Sequence, residues 1–184
     1  MPAAEKQQLS EAEYLARERL ADTKHEYVNG VAVAMAGGSP RHNVIATNIA
    51  GELRARLRGQ PCRPTNSDQR VHVAHTGLYT YPDVTVICGQ PETHPEDRNT
   101  LCNPRVIFEV LSTSTEAYDR GAKFRHYRRS ESLAEYVLVS QHERLVEHFR
   151  RGVAHQQMRS ASRRASEEIL AAAGSLLHLD EIYL

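Results

Sequence analysis

Glu109 interrupts Val106-Ile107-Phe108-Glu109-Val110-Leu111, a run that otherwise reads as a fully buried strand. A carboxylate removed from water costs several kcal/mol unless it is paired, protonated or bound to a metal. Two readings are open: a functional carboxylate, or one half of a structural ion pair. Asp83 is a second case, because it opens the β-branched run Val84-Thr85-Val86-Ile87 directly after Pro82. Alone it reads equally well as a turn residue. Together the two acids suggest more. Carboxylates from neighbouring strands can converge on one point, and a hard cation with oxygen ligands, such as Mg²⁺, relieves their repulsion. Residues 119–129 then bring Arg120, Lys123, Arg125, Arg128 and Arg129. A basic helix beside an acidic pocket suits a phosphodiester, with cations holding phosphates while the metal works on one of them. Lysine occurs only at Lys6, Lys24 and Lys123, and every other basic residue of this type is arginine. Arginine cannot titrate, whereas lysine can and moves as a compact charge, so Lys123 is a candidate for chemistry as well as for a solvated helix charge.

These residues need elements to carry them. Ser10-Glu11-Ala12-Glu13 fits a capping box and predicts a short helix through Leu20. Asn29-Gly30 between His25–Val28 and Val31–Met35 predicts a hairpin, since both residues tolerate positive φ. Ser39-Pro40 supplies an N-cap and a first helical position for a helix whose Val44, Ile45, Ile49, Leu53 and Leu57 share one face. Strands are predicted at Arg70–Ala74, Val84–Cys88, Val106–Leu111, Tyr136–Val139 and Arg144–Phe149, and a helix at Thr115–Arg129 with Phe124 and Tyr127 buried. The polar stretch Gln156–Ser166 reads as a loop, and 167–184 as a closing strand and turn. The order predicts one α/β (α+β) domain over residues 1–184, with a core of about 10–150 and a mixed central sheet flanked by helices.

Composition narrows the partners. The chain has 184 residues and equal numbers, 23 each, of Lys plus Arg and Asp plus Glu. Zero net charge argues against a histone-like coat or a polybasic membrane binder. The balance is local, however: residues 61–118 carry a net −3 and residues 119–164 a net +6. The longest purely apolar run is Val31–Ala36, far short of the ~20 residues that span a bilayer, so no membrane partner is expected. Three cysteines without a C-x-x-C pair predict free thiols and a cytoplasmic setting, with Cys88 a small core residue. His72 and His75 straddle a strand end, but no Cys or carboxylate completes a zinc spacing. No G-x-x-x-x-G-K-[ST] loop supports an ATPase or GTPase.

The ordered set Pro82-Asp83, Glu109-Val110-Leu111-Ser112 and Tyr118-Asp119-Arg120-Gly121-x-Lys123-Phe124-x-x-Tyr127-Arg128-Arg129 resembles the Uma-two family of restriction endonucleases. The likeness runs from His25-Glu26-Tyr27-Val28-Asn29-Gly30 to Ile182-Tyr183. That family belongs to the PD-(D/E)xK nuclease superfamily, with a restriction-endonuclease-like fold. The resemblance implies a metal-dependent DNA endonuclease whose catalytic residues are Glu26, Asp83, Glu109 and Lys123. It implies Mg²⁺ or Mn²⁺ on Asp83, Glu109 and the carbonyl of Val110, with His42 and Arg120 as substrate contacts. The superfamily lysine lies two residues after the acid, and here that position is Leu111. Lys123 takes its place only if its helix packs over the strand end. The alternative is a nuclease-fold domain without catalysis that binds nucleic acid or acts as a scaffold. Two cuts on duplex DNA suggest a homodimer, with Arg144–Arg150 as an edge strand for pairing.

Overall fold

The computed structural model describes residues 8–152, 158–164, 168–170 and 176–184. Ser10 caps helix α1 (Glu11–Glu18) through the full capping box with Glu13, and the helix ends two residues before Leu20, which is exposed. The hairpin of β1 (His25–Val28) and β2 (Val31–Ala34) turns at Asn29 and Gly30, both at positive φ, as a two-residue turn of this kind requires. Helix α2 (Pro40–Arg56) starts on the Ser39 cap. Its Ile45, Ile49 and Leu53 are buried, as is Leu57 just beyond its end, but Val44 lies off that face and is half exposed.

Short strands follow: β3 (Cys62–Thr65), β4 (Arg70–Val73), β5 (Leu78–Thr80), β6 (Val84–Cys88), β7 (Thr93–His94), β8 (Asp97–Leu101) and β9 (Val106–Leu111). A helical segment then comprises α3 (Glu116–Tyr118), a π-helical turn (Asp119–Lys123) and α4 (Phe124–Tyr127). The chain closes with β10 (Glu135–Ser140), β11 (Leu145–Arg151), β12 (Met158–Arg164), β13 (Glu168–Leu170), β14 (Leu176–His178) and α5 (Leu179–Ile182).

The strands form two mixed six-stranded sheets rather than a single central one. Sheet A has the order β2-β1-β5-β4-β8-β7, sheet B the order β12-β11-β10-β9-β6-β3, and β13 pairs with β14. In sheet B, β9 and β10 run parallel while the other neighbours are antiparallel. One face of sheet B packs Val84, Val86, Phe108, Val110, Val137 and Val139 under α2 and α5. The other face presents Ile107, Leu111, Tyr136 and Leu138 to Tyr127 and to Val73 and Leu78 of sheet A. Full burial of side chains such as Ile49, Phe108 and Leu138 contributes about 1.5–3 kcal/mol each.

Three expectations change. Part of the stretch read as a polar loop, Met158–Arg164, is strand β12; residues 156, 157, 165 and 166 lie outside those described. It pairs along the whole of β11, so the Arg144–Phe149 strand is interior and offers no free edge for a dimer. Cys62 and Cys88 are cross-strand partners on β3 and β6 and form a disulfide, which leaves Cys102 as the free cysteine. An odd cysteine count carries no information about register, and register is what opposes these two thiols.

Candidate active site

Alternation along β9 decides where Glu109 points. It shares a face with Ile107 and Leu111, toward the 116–127 helical segment, and is 3% exposed. The β9 and β10 strands are parallel neighbours with Glu109 opposite Leu138, so the carboxylate sits in the middle of an apolar face. The helical segment supplies its partner. Lys123 places Nζ 2.9 Å from Glu109 Oε1, 2.9 Å from Glu26 Oε1 and 3.4 Å from Asp119 Oδ1, and is itself 4% exposed. Position 111 is a buried leucine, so the cation reaches this face from the helix instead of from the strand.

The π-helical turn explains how one short segment presents three groups together. Asp119, Lys123 and Tyr127 are spaced four apart, and in an α-helix each four-residue step overshoots a full turn by about 40°. One wider turn cancels part of that drift. All three are buried. Tyr127 donates its hydroxyl to Glu109 Oε1 at 2.8 Å, and Tyr136 donates to the Asp119 carbonyl at 3.0 Å. From sheet A, Thr80 donates to Glu26 Oε1 at 2.5 Å. Asp119, Tyr127 and Thr80 are the site residues that sequence reasoning did not single out. The four-residue spacing of 119, 123 and 127 was the available signal for two of them; for Thr80 there was none, because it depends on the pairing of β5 beside β1.

Asp83 borders this group from the end of β6. Its Oδ2 accepts the Val110 N–H at 2.7 Å, next in sequence to Glu109, and lies 3.3 Å from His42 Nε2. His42 comes from the first turn of α2 on the opposite side of the sheet. Its pKa is raised, first by the hydrogen bond to Asp83 and then by that carboxylate's charge, which outweigh partial burial. Arg120 does not join the group: it is held by Glu116 at 2.7 Å and by Glu147 on β11. Arg120 directly follows Asp119, and adjacent positions on a helix face different directions, so the turn that aims Asp119 at Lys123 sends Arg120 to Glu147 instead.

The electrostatics are unbalanced toward the negative. Glu26, Asp83, Glu109 and Asp119 are four carboxylates, with Lys123 and His42 the facing basic groups. Burial, with Asp119 and Asp83 adding to it, pushes Glu109 up to about 8 against the opposing pull of Lys123. Burial likewise raises Asp119. Lys123 is raised well above its ordinary value, because Glu109, Tyr127, Glu26 and Asp119 overcome its burial. A pKa raised in the folded state contributes stability below the unfolded value of about 4.5 that is lost as pH climbs toward 8. Metal-free protein is therefore expected to lose urea resistance between pH 5 and pH 8 relative to Glu109→Gln, which stays neutral. Equal pH slopes for the two chains would contradict that assignment.

Asp83, Glu109 and the Val110 carbonyl make an all-oxygen donor set in a pocket short of positive charge, and that chemistry fits a hard divalent cation such as Mg²⁺ or Mn²⁺. Among the described residues, the group of three metal-ligating side chains whose donor atoms lie within 4.8 Å of one another is elsewhere, at Glu11, His72 and His94.

Known proteins resemble this chain in sequence and in fold. The model of the Uma2 family, described as "Putative restriction endonuclease", matches residues 11–177. The uncharacterised Synechocystis protein slr1290 is 42% identical over 142 residues, which is 76% of this chain and 72% of that protein. A second, sll1609, is 36% identical over 143 residues, or 78% and 81% of the two chains. A crystal structure from Anabaena variabilis, described as a "putative nuclease belonging to DUF820", superposes with a TM-score of 0.75 over 95% of this chain and 97% of that one. At 14% identity that likeness speaks for the fold alone. With the family model spanning nearly the whole chain, this chain belongs to the Uma2 family.

Proposed function

We propose that the chain is a divalent-metal-dependent endonuclease that hydrolyses phosphodiester bonds in DNA, with Glu26, Asp83, Glu109 and Lys123 as its catalytic residues. The observation that carries this reading is a buried lysine shared by carboxylates from two different sheets, beside a third carboxylate at a strand end. Such an arrangement is costly as mere structure, because several charges are removed from water for one cation. Asp83, Glu109 and the Val110 carbonyl would hold Mg²⁺ or Mn²⁺, which supplies Lewis-acid stabilisation of a phosphate and a water of lowered pKa. Lys123 neutralises and orients the carboxylates, and its Nζ is the donor available to charge developing on a substrate oxygen. Glu26, held by Thr80, fixes Lys123 from the sheet A side. His42 holds Asp83 in line with the Val110 N–H and presents an imidazole at the pocket's other rim. Arg125 on α4 and Arg128 and Arg129 in the turn just after it are exposed and offer cations to flanking phosphates.

Lys123 is already engaged by three carboxylates, an observation that also favours a second reading: a nuclease fold that binds nucleic acid without cutting it. Supercoiled plasmid incubated with the protein and Mg²⁺ or Mn²⁺ separates the two. Nicking that needs both the metal and Asp83 supports the nuclease. Binding with no metal-dependent nicking leaves the second reading.

A further inference from the structure

The period of the sheet A strands separates two chemistries by one residue. On β1 and β5, Glu26 and Thr80 face sheet B and the site above, while Tyr27 and Tyr79 face the other way, toward α1. His72 on β4 is the cross-strand partner of Tyr79 and stacks on its ring, with centroids 4.2 Å apart. Tyr14 and Leu15 of α1 pack onto Tyr27 and Tyr79, and this brings Glu11, the first residue of the helix, above His72. His94, at the end of β7 beside an irregularity in its pairing with β8, turns its ring edge-on to His72 with centroids 5.1 Å apart.

We propose that Glu11, His72 and His94 bind one zinc-class divalent metal ion, at a site separate from the carboxylate–lysine pocket and independent of the nuclease reading. Two imidazoles and a carboxylate are a ligand set this class of ion prefers. The spacing suits it. Tetrahedral ligands with bonds of ~2.0–2.1 Å are about 3.3 Å from one another. Glu11 Oε1 is 3.2 Å from His94 Nε2 and 3.8 Å from His72 Nε2, and one donor atom from each of the three residues lies within 4.8 Å of the others. The ligands come from a helix, an inner strand and a sheet-edge strand, 61 and 22 residues apart in sequence, so no local turn forces them together.

A second observation points to a ligand. Both ring nitrogens of His72 are buried without a hydrogen-bond partner. Buried polar atoms are nearly always satisfied, and an ion would take the lone pair of one of these nitrogens. The carboxylate also has an orienting partner, because Tyr79 donates its hydroxyl to Glu11 Oε1. Outer partners of this kind set ligand orientation in metal sites. His94 Nδ1 accepts the Glu96 N–H at 3.3 Å, a long bond at the surface. Metal at Nε2 puts the proton on Nδ1, and that N–H passes to water. The Glu11 side chain is 44% exposed, which leaves a coordination position for water and a path of entry. Bound metal would tie the start of α1 to sheet A, the sheet that carries Glu26.

Full-length chain stripped with a chelator and titrated with Zn²⁺ tests the site, with Co²⁺ absorbance as the readout of tetrahedral coordination. The expected result is one Zn²⁺ at this site and a tetrahedral cobalt spectrum. His94→Gln and Glu11→Gln, both at partly exposed positions, are expected to weaken binding by more than the 10–100-fold ordinarily lost with an outer partner. Tyr79→Phe is expected to lose about 10–100-fold. Asp83→Asn is expected to leave the zinc affinity unchanged. The proposal is overturned if His94→Gln and Glu11→Gln bind Zn²⁺ as the parent does, or if Asp83→Asn alone abolishes binding, which would assign the metal to the carboxylate pocket.

Discussion

Lys123→Met is expected to reduce metal-dependent plasmid nicking by at least 10²–10³-fold, the size of effect seen when one preorganised charge donor is removed from a reaction centre. It is also expected to destabilise the fold. Methionine matches the length of the lysine stem but leaves Glu26, Glu109 and Asp119 facing one another without their shared cation. Removing one partner of a buried ion cluster costs about 3–5 kcal/mol. The loss has a pH signature. In the variant the three carboxylates escape by holding protons in the folded state, so stability is retained near pH 5 and lost as pH rises toward 8. Urea midpoints at the two pH values measure it. A variant that folds and nicks at the parental rate would remove Lys123 from the mechanism.

Asp83→Asn separates chemistry from structure more cleanly. Asparagine keeps an oxygen to accept the Val110 N–H, so the β6–β9 junction stays satisfied and stability should change by no more than about 1 kcal/mol. The negative charge is lost, and with it a ligand of the hard cation. Nicking is expected to fall by at least 10²–10³-fold, since the metal's contribution to such a transition state is several kcal/mol. His42 loses the partner that raises its pKa, so its titration, followed by NMR, should move down toward 6.5. Unchanged nicking with a shifted His42 would show that Asp83 is only the histidine's partner. Asp83 would then be removed from the metal's ligands and from the mechanism.

The strongest local signals placed several elements correctly. The capping box at Ser10, the Asn29-Gly30 turn and the Ser39-Pro40 start of α2 each depend on the φ and hydrogen-bonding habits of a few adjacent residues. The apolar runs of β6 and β9 were equally plain, and Glu109 stood out because it violates one of them. Weaker elements were invisible for the same reason. The β8 strand, Asp97-Arg98-Asn99-Thr100-Leu101, is polar and β7 is two residues long, so only their neighbours make them strands. The second sheet went unseen because strand pairing is non-local.

By itself, the sequence determined that this is an α/β chain with misplaced carboxylates at 83 and 109 and one anomalous lysine in a basic segment. Residue type and spacing carry that information, because a carboxylate inside an apolar run must be paired, protonated or bound to a metal whatever partner the fold supplies. Only the tertiary structure decided which groups meet. Glu26 reaches Lys123 and is held there by Thr80 through the pairing of β1 with β5, and a π-helical turn aims Asp119, Lys123 and Tyr127 at one strand. Arg120 is turned away to Glu147. Cys62 meets Cys88, and Glu11, His72 and His94 converge, across gaps in sequence that no motif spans. Register and the facing of a helix are set by packing of whole layers, and a one-residue shift in either moves every side chain to another face.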